Sequence, residues 1–100
     1  MKAIQTTQEF NELIKDNKVL VDFYADWCTP CKMLDMIIEE IEEENSNLKI
    51  IKVDTDRFRQ IAKEYRVLTV PKIIIFENGK AVKEKQGIMR KDELLDFINQ

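Results

Sequence analysis

Apolar residues recur along this chain with two periods, and the alternation between them marks out nine elements. Between Val19 and Ala25 almost every position is apolar, with β-branched and aromatic types prevailing. An unbroken run of that kind suits a central strand covered on both faces. Leu48 to Val53 and Ile73 to Phe76 read as further strands. Between these runs the period changes to that of a helix. Phe10, Leu13 and Ile14 follow a capping box at Thr6 to Glu9. Leu34, Ile37, Ile38 and Ile41 line one face of a long helix from Cys31 to Glu44. Asn45-Ser46-Asn47 closes it with side chains that compete for backbone hydrogen bonds. Asp54 to Asp56 reads as the start of a third helix, with Phe58, Ile61, Ala62 and Tyr65 on its inner side. Leu94, Phe97 and Ile98 face inward on a last one. Asn78-Gly79 predicts a hairpin turn pairing Ile73–Phe76 with Lys80–Gln86, and Gly87 ends that strand. With a short strand at Lys2 to Ile4, the order is β-α-β-α-β-α-β-β-α. That order predicts an α/β fold, a mixed sheet of about five strands with helices on both faces.

One hundred residues, 44% of them apolar, make one domain over residues 1–100 with a core that needs no metal and no set of disulfides. A net charge of −3 with both signs interspersed argues against nucleic acid or an anionic membrane as partner. The longest apolar run, Ile73 to Phe76, is too short to span a bilayer. Met1 to Thr6 lacks the apolar stretch of a secretory signal, so a cytoplasmic location is expected.

The chemistry concentrates in Trp27-Cys28-Thr29-Pro30-Cys31-Lys32, which holds both cysteines where a strand gives way to a helix. A thiol at a helix N-terminus feels the positive end of the backbone dipole and the unpaired N–H groups, both of which favour the reactive thiolate. The second thiol lies one turn further along, near enough to close a disulfide. Zinc needs about four ligands, and the chain has no histidine and no third cysteine. Two inert buried thiols would fit poorly with the Thr-Pro insert and with a helix start that is expected to be accessible. A reversible dithiol/disulfide couple fits best. With no histidine available, the candidate base is Asp22, on the strand six residues before Cys28 and flanked by Leu20, Val21, Phe23 and Tyr24. Burial there raises a carboxyl toward neutrality, which suits proton transfer. On an edge strand it would simply face water.

These residues carry a resemblance. Val21 to Lys32, Val53-Asp54, Val70-Pro71, Asn78-Gly79 and Gly87 stand in the order and at the separations of the thioredoxin family, and the chain resembles that family along its whole length. The resemblance implies the thioredoxin fold and a protein-disulfide reductase that needs no cofactor beyond its Cys28–Cys31 disulfide. It implies Cys28 as nucleophile and Cys31 as resolving thiol, and it supports Asp22 as the buried base. It implies a cis proline at Pro71, with Val70 offering backbone hydrogen bonds to a substrate. Trp27, Thr29 and Pro30 are expected beside the substrate, and Gly87 where a substrate chain comes close. The implied partners are thioredoxin reductase and disulfide-bearing proteins, with the chain a monomer.

Several positions depart from the family pattern. Thr29 replaces a glycine, and the sequence assigns no sign to its effect on the redox couple. Tyr24 stands where tryptophan is frequent, and Met36 where many relatives have a kinking proline, which predicts a straighter helix. Ile50 reads as replacing a lysine near Asp22, leaving that carboxyl without a charge partner. Lys72 is expected as a solvated lysine near the substrate groove. Glu39, Glu40 and Glu42 to Glu44 are expected as a solvated helix end. The rival readings are a glutaredoxin-like reductase recharged by glutathione, a disulfide-forming oxidant, and a binding module whose thioredoxin fold supports a partner without redox turnover.

Overall fold

The structure, a computed structural model, describes all of residues 1–100. Strands β1 (Lys2–Ala3), β2 (Val19–Tyr24), β3 (Lys49–Asp54), β4 (Lys72–Glu77) and β5 (Lys80–Gln86) form one sheet in the order β1-β3-β2-β4-β5. The continuous apolar run occupies the centre, with β2 parallel to β3 and antiparallel to β4. Helices α1 (Thr7–Leu13) and α3 (Arg59–Glu64) cover one face, and α2 (Thr29–Glu44) and α4 (Lys91–Asn99) cover the other.

Strand parity sorts the core into two layers. Val19, Val21 and Phe23 pack with Phe10, Ile14 and Ile61 on the first face. Leu20 packs with Leu34, Ile38, Ile41, Leu94 and Ile98 on the second. Asp22 shares the parity of Leu20, so its carboxyl enters the α2 side of the sheet. Burying each of these large apolar side chains contributes roughly 1.5–3 kcal/mol, so both layers hold β2 in place.

Local polar groups set where the helices begin. The Thr6 hydroxyl accepts the Glu9 N–H at 3.0 Å, but the Glu9 carboxylate takes the N–H of Gln5 rather than that of Thr6, at 2.7 Å. The α3 helix begins at Arg59, later than the Asp54–Asp56 start predicted from the sequence. There the Asp54 side chain accepts the N–H groups of Asp56 and Arg57, a turn that holds the backbone out of the helix. At the hairpin, Asn78 and Gly79 both take positive φ (53° and 88°), as a two-residue turn of this hand requires.

One charge expectation changes. Lys72 is buried at 4% exposure, its ammonium donating to the Tyr65 and Arg66 carbonyls at 3.3 Å and pairing with Glu84 at 3.2 Å. Its parity with Ile74 and Phe76 turns it to the α3 side, where it satisfies carbonyls left free at that helix end. The acidic end of α2 is solvated as expected, with Glu39, Glu40, Glu43 and Glu44 exposed, and it is also paired: half-buried Glu42 receives the Met1 ammonium at 2.5 Å, and Lys91 joins Glu40 and Glu44 at 3.0 and 2.5 Å. The Lys91 contacts tie the end of α2 to the start of α4.

Candidate active site

Where β2 ends, Cys28 leaves the sheet in an extended conformation (φ −90°, ψ 103°) and caps α2. Its sulfur accepts the Cys31 N–H at 3.2 Å, one of the orphan donors of the first turn. Pro30 near the start of α2 needs no donor there and carries a φ already suited to the helix. The two cysteines are disulfide-bonded with Cα atoms 5.3 Å apart, a separation that a disulfide spans readily. Contrary to the accessible helix start expected from the sequence, Cys28 and Cys31 are only 3% and 2% exposed. Ala25, Tyr24 and Val70 pack around them and leave little sulfur surface open.

A second loop completes the pocket wall. The Val70 carbonyl oxygen lies 3.7 Å from the Cys28 sulfur, and the Val70–Pro71 peptide is cis. Gly87 donates its N–H to the Pro71 carbonyl at 2.8 Å. Its φ of +88° is what requires glycine, since a Cβ there would meet nothing within 4 Å. Trp27 stands 71% exposed with its indole N–H donating to Asp56 at 2.9 Å. A groove of about 380 Å³ lies between Trp27, Thr55, Asp56, Leu68, Thr69 and Val70, and neither cysteine lines it. A hollow of similar size, about 390 Å³, lies at the far end of α2. Thr29 and Pro30 are exposed, and the Thr29 hydroxyl makes no hydrogen bond.

Beneath α2 lies an ionic cluster. Asp22 is 1% exposed, and neither carboxyl oxygen has a hydrogen-bond donor. Burial pushes its pKa well above the usual carboxylate range, and contact with the Asp35 carboxyl raises it further, while Lys52 draws it down. Lys52 pairs with Asp22 in the β2–β3 register, donates to Asp35 at 2.6 Å and sits 4.2 Å above the Tyr24 ring. The expectation that Asp22 lacks a charge partner is therefore overturned. Ile50 stands opposite Leu20, two residues away, and Lys52 holds the place beside Asp22. No cluster of three or more Cys, Asp or Glu side chains is arranged to hold a metal ion.

Comparison with known proteins decides the family: the thioredoxin profile matches residues 1–100. The chain belongs to the thioredoxin family. A thioredoxin of Mycoplasmoides gallisepticum is 38% identical over 99 residues, covering 98% of this chain and 99% of its own. One from Chlamydia caviae is 40% identical over 100 residues, covering 100% and 98%. Among solved structures, a mutant thioredoxin from Halobacterium salinarum superposes with a TM-score of 0.89 at 35% identity, covering 97% of this chain and 86% of that one. As a member of the thioredoxin family, the chain is a thiol–disulfide oxidoreductase that works through its Cys28–Cys31 pair.

Among the residues singled out from the sequence, Cys28, Cys31, Trp27 and Val70 gather at one end of β2, with Pro71 and Gly87 bonded to each other behind them. Asp22 lies deeper, under α2. Asp35, Lys52 and Asp56 were missed. Asp35 carried a signal, since it follows Cys31 by four residues on the helix face that Leu34 and Ile38 bury. Lys52 carried one too, since it alternates with Ile50 on β3 and so faces α2.

Proposed function

We propose that Cys28 attacks protein disulfides as a thiolate, that Cys31 resolves the mixed disulfide and that Asp22 moves the Cys31 proton. The Cys28 sulfur forms a bond to one substrate sulfur as the substrate S–S bond breaks; the second substrate sulfur leaves and takes up a proton. Cys31 then gives its proton to the ionised Asp22 and attacks Cys28, closing the disulfide and releasing the other substrate sulfur as a thiolate that takes a proton from water. Two electrons pass to the substrate in each turnover. Thioredoxin reductase, working through the same sulfurs, returns them. The redox pair itself carries those electrons, so the scheme calls on no added cofactor.

The single observation that supports this reading is the Cys28 sulfur at the cap of α2, accepting the Cys31 N–H. The same donor stabilises a thiolate in the reduced protein. Trp27, Thr29, Pro30, Val70, Pro71 and Gly87 form the substrate contact surface in this proposal, with an extended chain lying along the groove past Val70. We place the protein in the cytoplasm as a monomeric domain spanning residues 1–100; no helix is long and apolar enough to cross a membrane.

The test is trapping with Cys31→Ser. Mixed disulfides to cellular proteins are expected to accumulate on Cys28, including one to a reductase, and none with Cys28→Ser. Equal trapping by the two variants would overturn the order of attack. Asp22→Ala is expected to fold and to reduce disulfides at least about tenfold more slowly near neutral pH. An unchanged rate would remove Asp22 from the scheme.

A further inference from the structure

Asp35 stands one helical turn beyond Cys31, on the side of α2 that meets the sheet. Its Oδ2 takes the Lys52 ammonium at 2.6 Å, while its Oδ1 is buried with no donor. Both oxygens of Asp22 are likewise buried without a donor, and the neighbouring Asp35 carboxyl, reaching over from α2, raises the Asp22 pKa. Three buried oxygens that can only accept, crowded at one point, are costly when all are anionic. One proton held between the two carboxyls would supply the missing donor. Lys52 then balances the remaining charge.

We propose that Asp35 is a positioning residue for thiol–disulfide exchange: it shares one proton with Asp22, so that the pair, rather than Asp22 alone, exchanges a proton with Cys31. This rests on the proton-transfer role proposed for Asp22 and deepens it. With both carboxyls ionised, the pair accepts the Cys31 proton as that sulfur attacks Cys28, and the shared-proton form results. When the reductase opens the disulfide, the same proton returns to the Cys31 thiolate. Water supplies the protons of the two substrate thiols, and the count on the enzyme itself closes over the cycle.

The charged surroundings are few. Asp35 reaches Asp22 from α2 and Lys52 from β3. On β4 the residue in register is Ile73, and α4 presents Leu94 and Ile98 to this face. Tyr24, on the strand of Asp22 itself, lies under Lys52 with Asp54 and Asp26 beyond it. Removing Asp35 or Lys52 therefore acts on Asp22 with opposite signs.

The experiment titrates the Asp22 carboxyl by carbon NMR in the oxidised protein, where neither cysteine titrates. Asp35→Asn is expected to lower its proton affinity at least about tenfold, and Lys52→Gln to raise it. The rate of reduction of a synthetic peptide disulfide by the reduced protein is then followed from about pH 5 to pH 9, and the acid limb of each profile is expected to move with the titration. A merely structural role for Asp35 would alter the urea midpoint and leave both the titration and the acid limb in place. That result overturns the inference and leaves the Asp22 reading standing if Asp22→Ala is still slow. A titration that moves while the rate profile stays fixed also overturns it, and an unimpaired Asp22→Ala would take the underlying reading down as well. Should Asp35→Asn fail to fold, Asp35→Ser takes its place: an Asp22 titration that does not move downward refutes the coupling.

Discussion

Asp22→Ala should make the oxidised protein more stable while making the reduced protein a poorer reductant, and the gain should depend on pH in a definite sense. In the native chain the Asp22 carboxyl is 1% exposed with no donor to either oxygen. A buried polar group left without its partner costs about 1–3 kcal/mol, and alanine removes that group while leaving the apolar layer around Leu20, Leu34 and Ile73 in place. A gain of about 1–3 kcal/mol is therefore expected at neutral pH. For a domain of this length that corresponds to a rise in Tm of roughly 4–8 °C for each kcal/mol.

The direction of the pH effect follows from the raised pKa. Folded Asp22 keeps its proton to higher pH than the unfolded chain, whose ordinary value is near 3.8. Below that value both states are protonated and the native protein carries no penalty from the carboxylate charge. Between the unfolded and the folded pKa the native state binds more protons, so native stability falls as pH rises. The Asp22→Ala protein lacks that slope. Urea unfolding of both oxidised proteins at about pH 4, 7 and 9 should show the difference widening with pH at an unchanged m value. A difference that stays constant across that range, or an Asp22→Ala protein less stable than its parent at neutral pH, would refute the reasoning.

Two further outcomes follow from the same structure. Lys72→Met removes the ammonium from the Tyr65 and Arg66 carbonyls at the end of α3; a loss of about 1 kcal/mol or more in urea unfolding is expected, with disulfide reduction unimpaired. Gly87→Ala meets no atom of its own chain, so the cost comes from its φ of +88° alone, about 1–2 kcal/mol in thermal unfolding, and a much larger loss would mean that space as well as dihedral is required there.

What the chain determined by itself was local or periodic. The run Val19 to Tyr24 read as a buried central strand, the apolar stripe through Leu34, Ile38 and Ile41 as one face of a helix, and two cysteines three apart at their junction as a pair within disulfide reach, and each forms as read. Asn78-Gly79 likewise dictated its turn, because few residues tolerate positive φ at both positions. The later start of α3 was hidden, since the Asp54 side chain competes for the very N–H groups a helix would leave free. The tertiary structure decided what met what. The contact of Asp22 with Asp35 and Lys52 depends on how β2, β3 and α2 are stacked and in which register. Lys72 became a buried helix cap through strand parity, where a solvated lysine was expected. Periodicity tells which side of an element a residue occupies; the strength of a charge depends on distances to groups remote in sequence and on the water excluded between them, and packing alone sets both.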